Sequence, residues 1–489
     1  MMRVESASSS VAKHTQISTA SGPGQARNPL DRPPRRGELI ARLADEIRSL
    51  GGSDRVLASV ELPAVLVDEI IRRGLPRLRT AAAVCWERPA SETSLFGFGA
   101  AATLAGGRSS TIMDAATCLR ETAQRVRYSG GAAARPRFFG GARFSPSGTV
   151  RDPAWDAFGG WRFILPEVII AVEHGRASGA VTLALSPSDT ACDIGGSLHR
   201  VLAAPFEQQL PAVRPSFRAV PEVDPEAWQA AVGTALAEIG AGCYRKVVLA
   251  RRVSQQRTAA ASAGELLTRL VGRYPACFVF KFAAPHGDWI GASPELLGSA
   301  HGGVVRAASL AGTRRRSDDP RIDERLSAGL LDDPKERCEH AFVAAAMREA
   351  LAPLCTELAA PAEPAVMSIA NIHHLHTPFE GQLRDGTGIL DVVAALHPTP
   401  AVGGSPRTAA LDAIDRLEGI DRGWYAGPIG WTDLAGDGEF AVGLRSGLVG
   451  DATALLFAGA GIVEGSLPGR EFSETELKLQ PLREALIGD

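Results

Sequence analysis

Apolar residues recur every three or four positions over residues 37–52 ("GELIARLADEIRSLGG"), 225–242 and 333–354, the spacing that turns one helix face toward a core. The first two stretches end in glycines, a helix stop signal. The third opens on Asp333 and Pro334, an N-cap followed by the residue best suited to the first helical position. From about residue 55 to 210 the pattern changes to β-branched and aromatic runs: "RFFGGARF", "WRFILPEVIIAV" and "GAVTLALS". The last two flank "EHGRASG", a predicted hairpin connection, and the proline-rich residues 206–225 read as a connector. Strand-like runs resume at "CYRKVVLARRV", at "CFVFKFA" and "DWIGASPELLG" around a turn at residues 285–287, and at "EFAVGLRSGLV" and "ATALLFAGAGIV". A closing helix is predicted from near Arg470. The chain has no internal repeat, and strands and helices do not alternate regularly, which favours a large α+β fold over a doubly wound sheet.

Composition narrows the class. A chain of 489 residues, 45% hydrophobic and 22% charged, can bury a substantial core and reads as a soluble globular protein. Its formal net charge of −3 supplies no electrostatic reason to expect nucleic acid as partner. No run approaches the roughly 18 apolar residues of a membrane helix. The seven cysteines are odd in number, scattered and without a C-x-x-C pair, so neither a disulfide framework nor a structural zinc site is expected, and the pattern fits a reducing cytoplasm. Residues 1 to about 36, rich in Ser, Ala, Pro and Arg, have no hydrophobic periodicity and no secretory h-region; a disordered lead-in is expected there.

Four groups of residues could carry chemistry. Gly459 and Gly461 follow an apolar run and read as a glycine-rich turn whose N–H groups meet an anion. Four carboxylates, Glu464, Glu471, Glu474 and Glu476, crowd the same neighbourhood. The stretch fails as a dinucleotide fingerprint, because the third glycine, Gly465, comes late and the acids come too soon. On a helix Glu471, Glu474 and Lys478 share one face, and Glu336 and Glu339 repeat the i, i+3 spacing on the helix at 334. Two such helices could hold Mg²⁺, although solvated helix faces with acids near their N-termini satisfy the same spacing. Lys246 stands inside an apolar strand, where burial would lower its pKa and make it a candidate general base; a snorkelling lysine is the bland alternative. Glu295 follows a proline inside another apolar run, where a desolvated carboxyl could stay protonated and act as an acid. In "HHLH" only His374 and His376 share a strand face and no cysteine is near, so zinc is not expected.

Taken in order, "KVVLAR", "GASPELL", "SLAGTRRR", "KERCEH", "HHLHTPFEGQL", "LHPTPAVGG", "DRGWYAGPIGW", "FAVGLRSGLV" and "FAGAGIVEGSLPGREFSETELKL" resemble the chorismate-utilising enzymes. These motifs lie between about residue 225 and the end. The resemblance implies an α+β fold with a large, sandwich-like sheet core and helices packed outside. It implies a β-rich N-terminal part over residues 37–220 and a chorismate-binding catalytic region over 221–489. Lys246 stands where anthranilate synthases typically have glutamine. Ala311 stands where aminodeoxychorismate synthases have a nucleophilic lysine, and Ala401 where both have threonine. The pattern is most similar to isochorismate synthases, with salicylate synthase as the alternative and a non-catalytic chorismate-binding protein as a rival of another class. Phe472 and Ser473 depart from the W-R usual before the metal glutamate, and Gly403 from a common serine or alanine.

By the same resemblance Glu339 and Glu474 would contact Mg²⁺, with Glu336 and Glu471 supporting it through waters. Arg445 and Lys478 would take the enolpyruvyl carboxylate, amides around Gly459 and Gly461 the ring carboxylate, and Gly312, Thr313, His374, Ala401 and Tyr425 the remainder. Lys246 would activate a water that attacks C2, and Glu295 would protonate the C4 hydroxyl as it leaves. No glutaminase subunit is expected, and the implied state is a monomer.

Overall fold

Neighbouring residues on the strands go to different cores. Trp86, Phe280 and Trp289 join a cluster with Phe139, Phe163 and Phe440, while Cys85, Val279 and Ile290 join another with Leu39, Leu198, Leu267 and Leu482. This period-two sorting is what a sheet covered on both faces requires. A computed structural model describes residues 34–206, 217–219, 225–257, 262–369, 372–450 and 453–487. The predicted lead-in, apart from its last three residues, and most of the predicted connector lie outside the described residues.

The strands form two sheets, of 13 and 10 strands. The first cluster contains residues of both, as in a sandwich, and the second lies between the outer face of the larger sheet and helices such as Arg36–Ser49, Ala191–Ala203, Ala263–Arg273 and Pro468–Ile487. The α+β architecture expected from sequence is therefore the one observed. Both sheets cross the position near residue 220. In the larger, Phe278–Ala284 pairs with Val84–Arg88, and in the smaller, Pro428–Asp433 pairs with Arg137–Ala142.

Three runs that read as single strands are each two strands in different sheets. "WRFILPEVIIAV" breaks at Pro166, with Trp161–Leu165 in the smaller sheet and Val168–Glu173 in the larger. "DWIGASPELLG" breaks at Pro294 into Gly287–Ser293 (larger) and Leu296–His301 (smaller). "EFAVGLRSGLV" breaks over residues 443–445 into Gly438–Val442 (smaller) and Ser446–Val449 (larger). At the first two breaks the proline cannot donate to a ladder, so the chain leaves one sheet where it stands; the third, over Gly443, Leu444 and Arg445, has no proline. The hairpin at "EHGRASG" is as expected, with Glu173 opposite Arg176 and the turn at His174 and Gly175. The first helix runs Arg36–Ser49, and the closing helix begins at Pro468, two residues before Arg470.

Trp155 ties the N-terminal strands to the "DRGWY" segment. It is 1% exposed, meets Trp289 edge-on at 4.9 Å, and donates from Nε1 to the Asp421 carbonyl at 3.2 Å. Gly423, with φ of 53°, lies against it so closely that an added Cβ would stand 2.0 Å from the indole ring. Trp155→Ala is expected to lower stability by about 3–5 kcal/mol in urea unfolding. A loss below about 1 kcal/mol would show that the ring is not the bond between these segments.

Candidate functional site

Two of the sheet crossings lie side by side. At one, the Glu295 carbonyl accepts from the Val442 amide at 3.1 Å; at the other, the Arg445 carbonyl accepts from the Ala292 amide at 3.1 Å. Ser293 Oγ donates to the Val442 carbonyl at 2.6 Å and locks the pair. Arg445 holds a φ of 48°, a left-handed conformation that L-residues seldom adopt and that turns its side chain out of the strand direction. Glu295 and Arg445 thus reach a cavity of about 410 Å³ where the sheets part.

Lys246 enters the same cavity from the first position of strand Lys246–Arg257, bordered by Ser405 on one side and Val463 on the other. Gly459 and Gly461 are not a turn. They lie inside strand Thr453–Val463, opposite Ala250 and Val248, and the turn comes later, at Glu464 and Gly465. A side chain at Gly461 would bring its Cβ within 3.2 Å of Lys246 Cε, so the glycine makes room for the lysine. The Gly459 carbonyl accepts from Lys478 Nζ at 2.9 Å, which places its peptide edge, and that of Gly461 two residues on, away from the lysine strand. Amides in a strand rather than in a loop therefore face the cavity side.

The carboxylates arrive on two helices. Asp333 caps Pro334–Leu351 by accepting from the Lys335 and Glu336 amides at 3.0 and 3.3 Å, and its other oxygen takes Arg314 Nη2 at 2.9 Å. That helix presents Glu336 and Glu339, and Pro468–Ile487 presents Glu471 and Glu474. Glu476 instead accepts from Arg251 and Arg483 away from the cavity, and Glu464 is exposed. Each helix also hands a carboxylate to a lysine: Lys246 Nζ lies 2.6 Å from Glu339 Oε1, and Lys478 Nζ 2.6 Å from Glu474 Oε1.

Burial sets the electrostatics. It pushes the Glu295 carboxyl up to about 7, against the opposing pull of Arg445, Lys246 and Lys478. It raises Glu471, with Glu474 adding to the effect, and lowers Lys478 and Arg445 from their ordinary values. His374, on strand Ile372–Leu383, is pulled down to about 4 by burial and is neutral at pH 7, with Nδ1 3.2 Å from the Gly312 carbonyl. Gly312 sits at a bulge with φ of 75°, and Tyr425 stacks on Phe457 with ring centres 5.4 Å apart.

Of the site residues implied by the family resemblance, all but Thr313 line this cavity, Ala401 included. Thr313 pairs with His374 in the strand ladder, and its side chain lies outside the described residues. The histidines of "HHLH" diverge: buried His373 binds Ser368 Oγ and Asp323 Oδ1 at 2.8 and 2.9 Å, while His374 turns to the cavity. Phe472 packs under the Arg251 guanidinium at 4.3 Å and Ser473 Oγ donates to the Gly469 carbonyl at 2.9 Å, so the departures from the W-R pattern point elsewhere. Lys335, Arg422 and Arg470 also line the cavity without having been singled out. Arg422 lies past the end of helix Arg407–Leu417 and forms a buried pair with the residue that caps it, Glu418, so no helical spacing announced it.

The acidic donors are all oxygen, and among the described residues no three His, Cys, Asp or Glu side chains already converge as a cage. Oxygen donors of this kind are the ones magnesium takes, one or two carboxylates with waters and an anionic ligand completing its shell. No helix among the described residues is long and apolar enough to cross a membrane.

Residues 52–487 match the family described as chorismate binding enzyme. The isochorismate synthase MenF of Bacillus subtilis is 34% identical over 83% of this chain and 88% of its own length. The salicylate biosynthesis isochorismate synthase of Pseudomonas aeruginosa is 38% identical over 72% and 74%. The solved structure of MenF, the menaquinone-specific isochorismate synthase of Escherichia coli, shares the fold with a TM-score of 0.73 at 23% identity, covering 92% of this chain and 99% of that one. The chain therefore belongs to the chorismate-binding enzymes, and within them it is most similar to isochorismate synthases.

Proposed function

We propose that the protein isomerises chorismate to isochorismate, by addition of water at C2 and loss of the C4 hydroxyl. The observation that carries this reading is a carboxyl held near neutrality, Glu295, in the wall of the same cavity as the Lys246 amine. An acid that keeps its proton close to pH 7 can hand it to a leaving hydroxyl, and a lysine in its free form can take a proton from the attacking water. Lys246 Nζ rests on Glu339 Oε1 at 2.6 Å, a contact the amine must leave to reach the attacking water. As the C2–O bond forms, both double bonds of the ring diene shift and the C4–O bond breaks. One proton goes from the attacking water to Lys246 and another from Glu295 to the departing oxygen, and exchange with solvent then takes the proton from Lys246 and returns one to Glu295.

Chorismate is a dicarboxylate, and the cavity carries cations for both ends. Arg445 offers a fork of donors, and Lys478, anchored by the Gly459 carbonyl, a second charge. Glu339 and Glu474, with Glu336 and Glu471 behind them, would hold a magnesium ion, whose charge lets the ring carboxylate share a pocket with four acids. Tyr425, His374, Gly312 and Ala401 line the rest. His374 is neutral, so it orients the substrate without adding to the charge. A salicylate synthase, which would go on to eliminate pyruvate, is the second reading. It is favoured by the Pseudomonas relative's name and opposed by the "HPTPA" segment that shapes the wall at Ala401.

Incubated with chorismate and magnesium, the purified protein is expected to reach a plateau mixture of chorismate and isochorismate without pyruvate, followed by proton NMR. Stoichiometric salicylate and pyruvate would move it to the second reading, and no turnover would refute both. Lys246→Ala and Glu295→Gln are expected to reduce turnover at least about 10²-fold with the fold intact by circular dichroism; near-normal turnover in either would sink the acid–base assignment. Because Glu295 acts in its protonated form, its contribution is full below about pH 7 and is lost as pH rises through that value. The profile of kcat/KM should accordingly fall on the alkaline side with a midpoint near 7, and a plateau extending beyond pH 9 would exclude Glu295 as the acid. Glu339→Ala should abolish both turnover and the calorimetric heat of magnesium binding, whereas full activity of the parent protein in excess chelator would refute the metal role.

A further inference from the structure

The cavity's charges do not by themselves welcome a dianion. Three interior cations, Lys246, Arg445 and Lys478, face four carboxylates, Glu336, Glu339, Glu471 and Glu474. Arg422 also lines the wall, but its charge is matched by buried Glu418. Two further cations line the cavity and are exposed, Lys335 and Arg470. The two helices carry them in the same way: Lys335 immediately precedes Glu336, Arg470 immediately precedes Glu471, and the second glutamate follows three residues later in each case. One residue is about 100° around a helix, so each cation stands beside its glutamate pair rather than among it.

Their placement runs against local preference. Lys335 is the second residue of Pro334–Leu351 and Arg470 the third of Pro468–Ile487, so both occupy a first turn, where the helix dipole favours anions. Neither side chain is taken up in an ion pair among the described residues. A local rule broken twice, at matching positions beside one cavity, points to function rather than to helix stability.

We propose that Lys335 and Arg470 form a cationic mouth that draws the dicarboxylate substrate past the acidic wall and into the cavity. This rests on the chorismate reading above. Their charge acts on approach and binding and not on bond making, so it should appear in KM and in sensitivity to salt.

The test uses the full-length protein, saturating magnesium and chorismate, with ionic strength raised from ~20 to ~300 mM, which shortens the screening length several-fold. Lys335→Gln combined with Arg470→Gln is expected to lower kcat/KM about tenfold at low salt through KM, with kcat within about twofold. The salt dependence should flatten and the thermal midpoint should hold or rise. Lys335→Glu with Arg470→Glu should deepen the loss in kcat/KM while again sparing the melting temperature, since acids in a first turn suit the dipole. Unchanged kcat/KM and salt slope in an active background would overturn the mouth and leave the functional reading standing. A fall in kcat at constant KM, or a lower melting temperature accounting for the loss, would overturn it equally. Absence of turnover in the parent protein would overturn the functional reading and the mouth with it.

Discussion

The site depends on two strands that change sheets side by side. A β-strand inside a sandwich has its backbone groups committed to its neighbours, and its side chains point alternately into two cores. At Pro294–Glu295 and at residues 443–445 the chain steps from one sheet to the other, and three hydrogen bonds tie the two crossings together. The step releases one side chain at each place from the in-and-out alternation. Glu295 and Arg445 use that release to reach a gap between layers, enclosed by protein on most sides yet continuous with the cavity. A carboxyl there is desolvated enough to hold its proton, and its burial follows from the crossing itself.

Around this gap the charges are held in reciprocal pairs. Lys246 and Lys478 come from a strand and a helix, and each lies against a carboxylate from a helix, Glu339 and Glu474. Such partly buried pairs are poor evidence for stability, because desolvation offsets much of their attraction. They make better sense as groups kept in place for a charged ligand, such as the dicarboxylate proposed above, whose own charges can take over the same partners. The glycine strand completes the arrangement: Gly461 leaves space for the lysine, and the Gly459 carbonyl steadies Lys478.

Much of the local structure could be read from the chain. Asp333 and Pro334 cap and start their helix as expected, and the i, i+3 spacing of Glu336 with Glu339 and of Glu471 with Glu474 puts each pair on the cavity side. The "EHGRASG" hairpin and the apolar strands also form where expected. Failures cluster where a local signal has two meanings. Glycines after an apolar run read as a turn, but both lie inside a strand, where Gly461 leaves room for Lys246 and Gly459 for the Leu249 carbonyl and the Tyr425 hydroxyl. Apolar runs interrupted by Pro166 or Pro294 read as one strand, whereas the proline marks a change of sheet.

What the sequence determined by itself is therefore the local and the chemical: helix faces and caps, strand periodicity, and residue types competent for acid, base and metal binding in the order of a known family. Only the tertiary structure decided which of these meet. Lys246 and Glu339 are 93 residues apart, and nothing in either neighbourhood specifies the other. The same holds for protonation, since Glu295 and Glu476 are identical as side chains. One is surrounded by protein and pushed up to about 7, and the other is held below its ordinary range by Arg483 and Arg251 despite an opposing effect of burial. Burial and long-range pairing are properties of the assembled layers, because desolvation depends on every atom around a group and not on its neighbours in the chain.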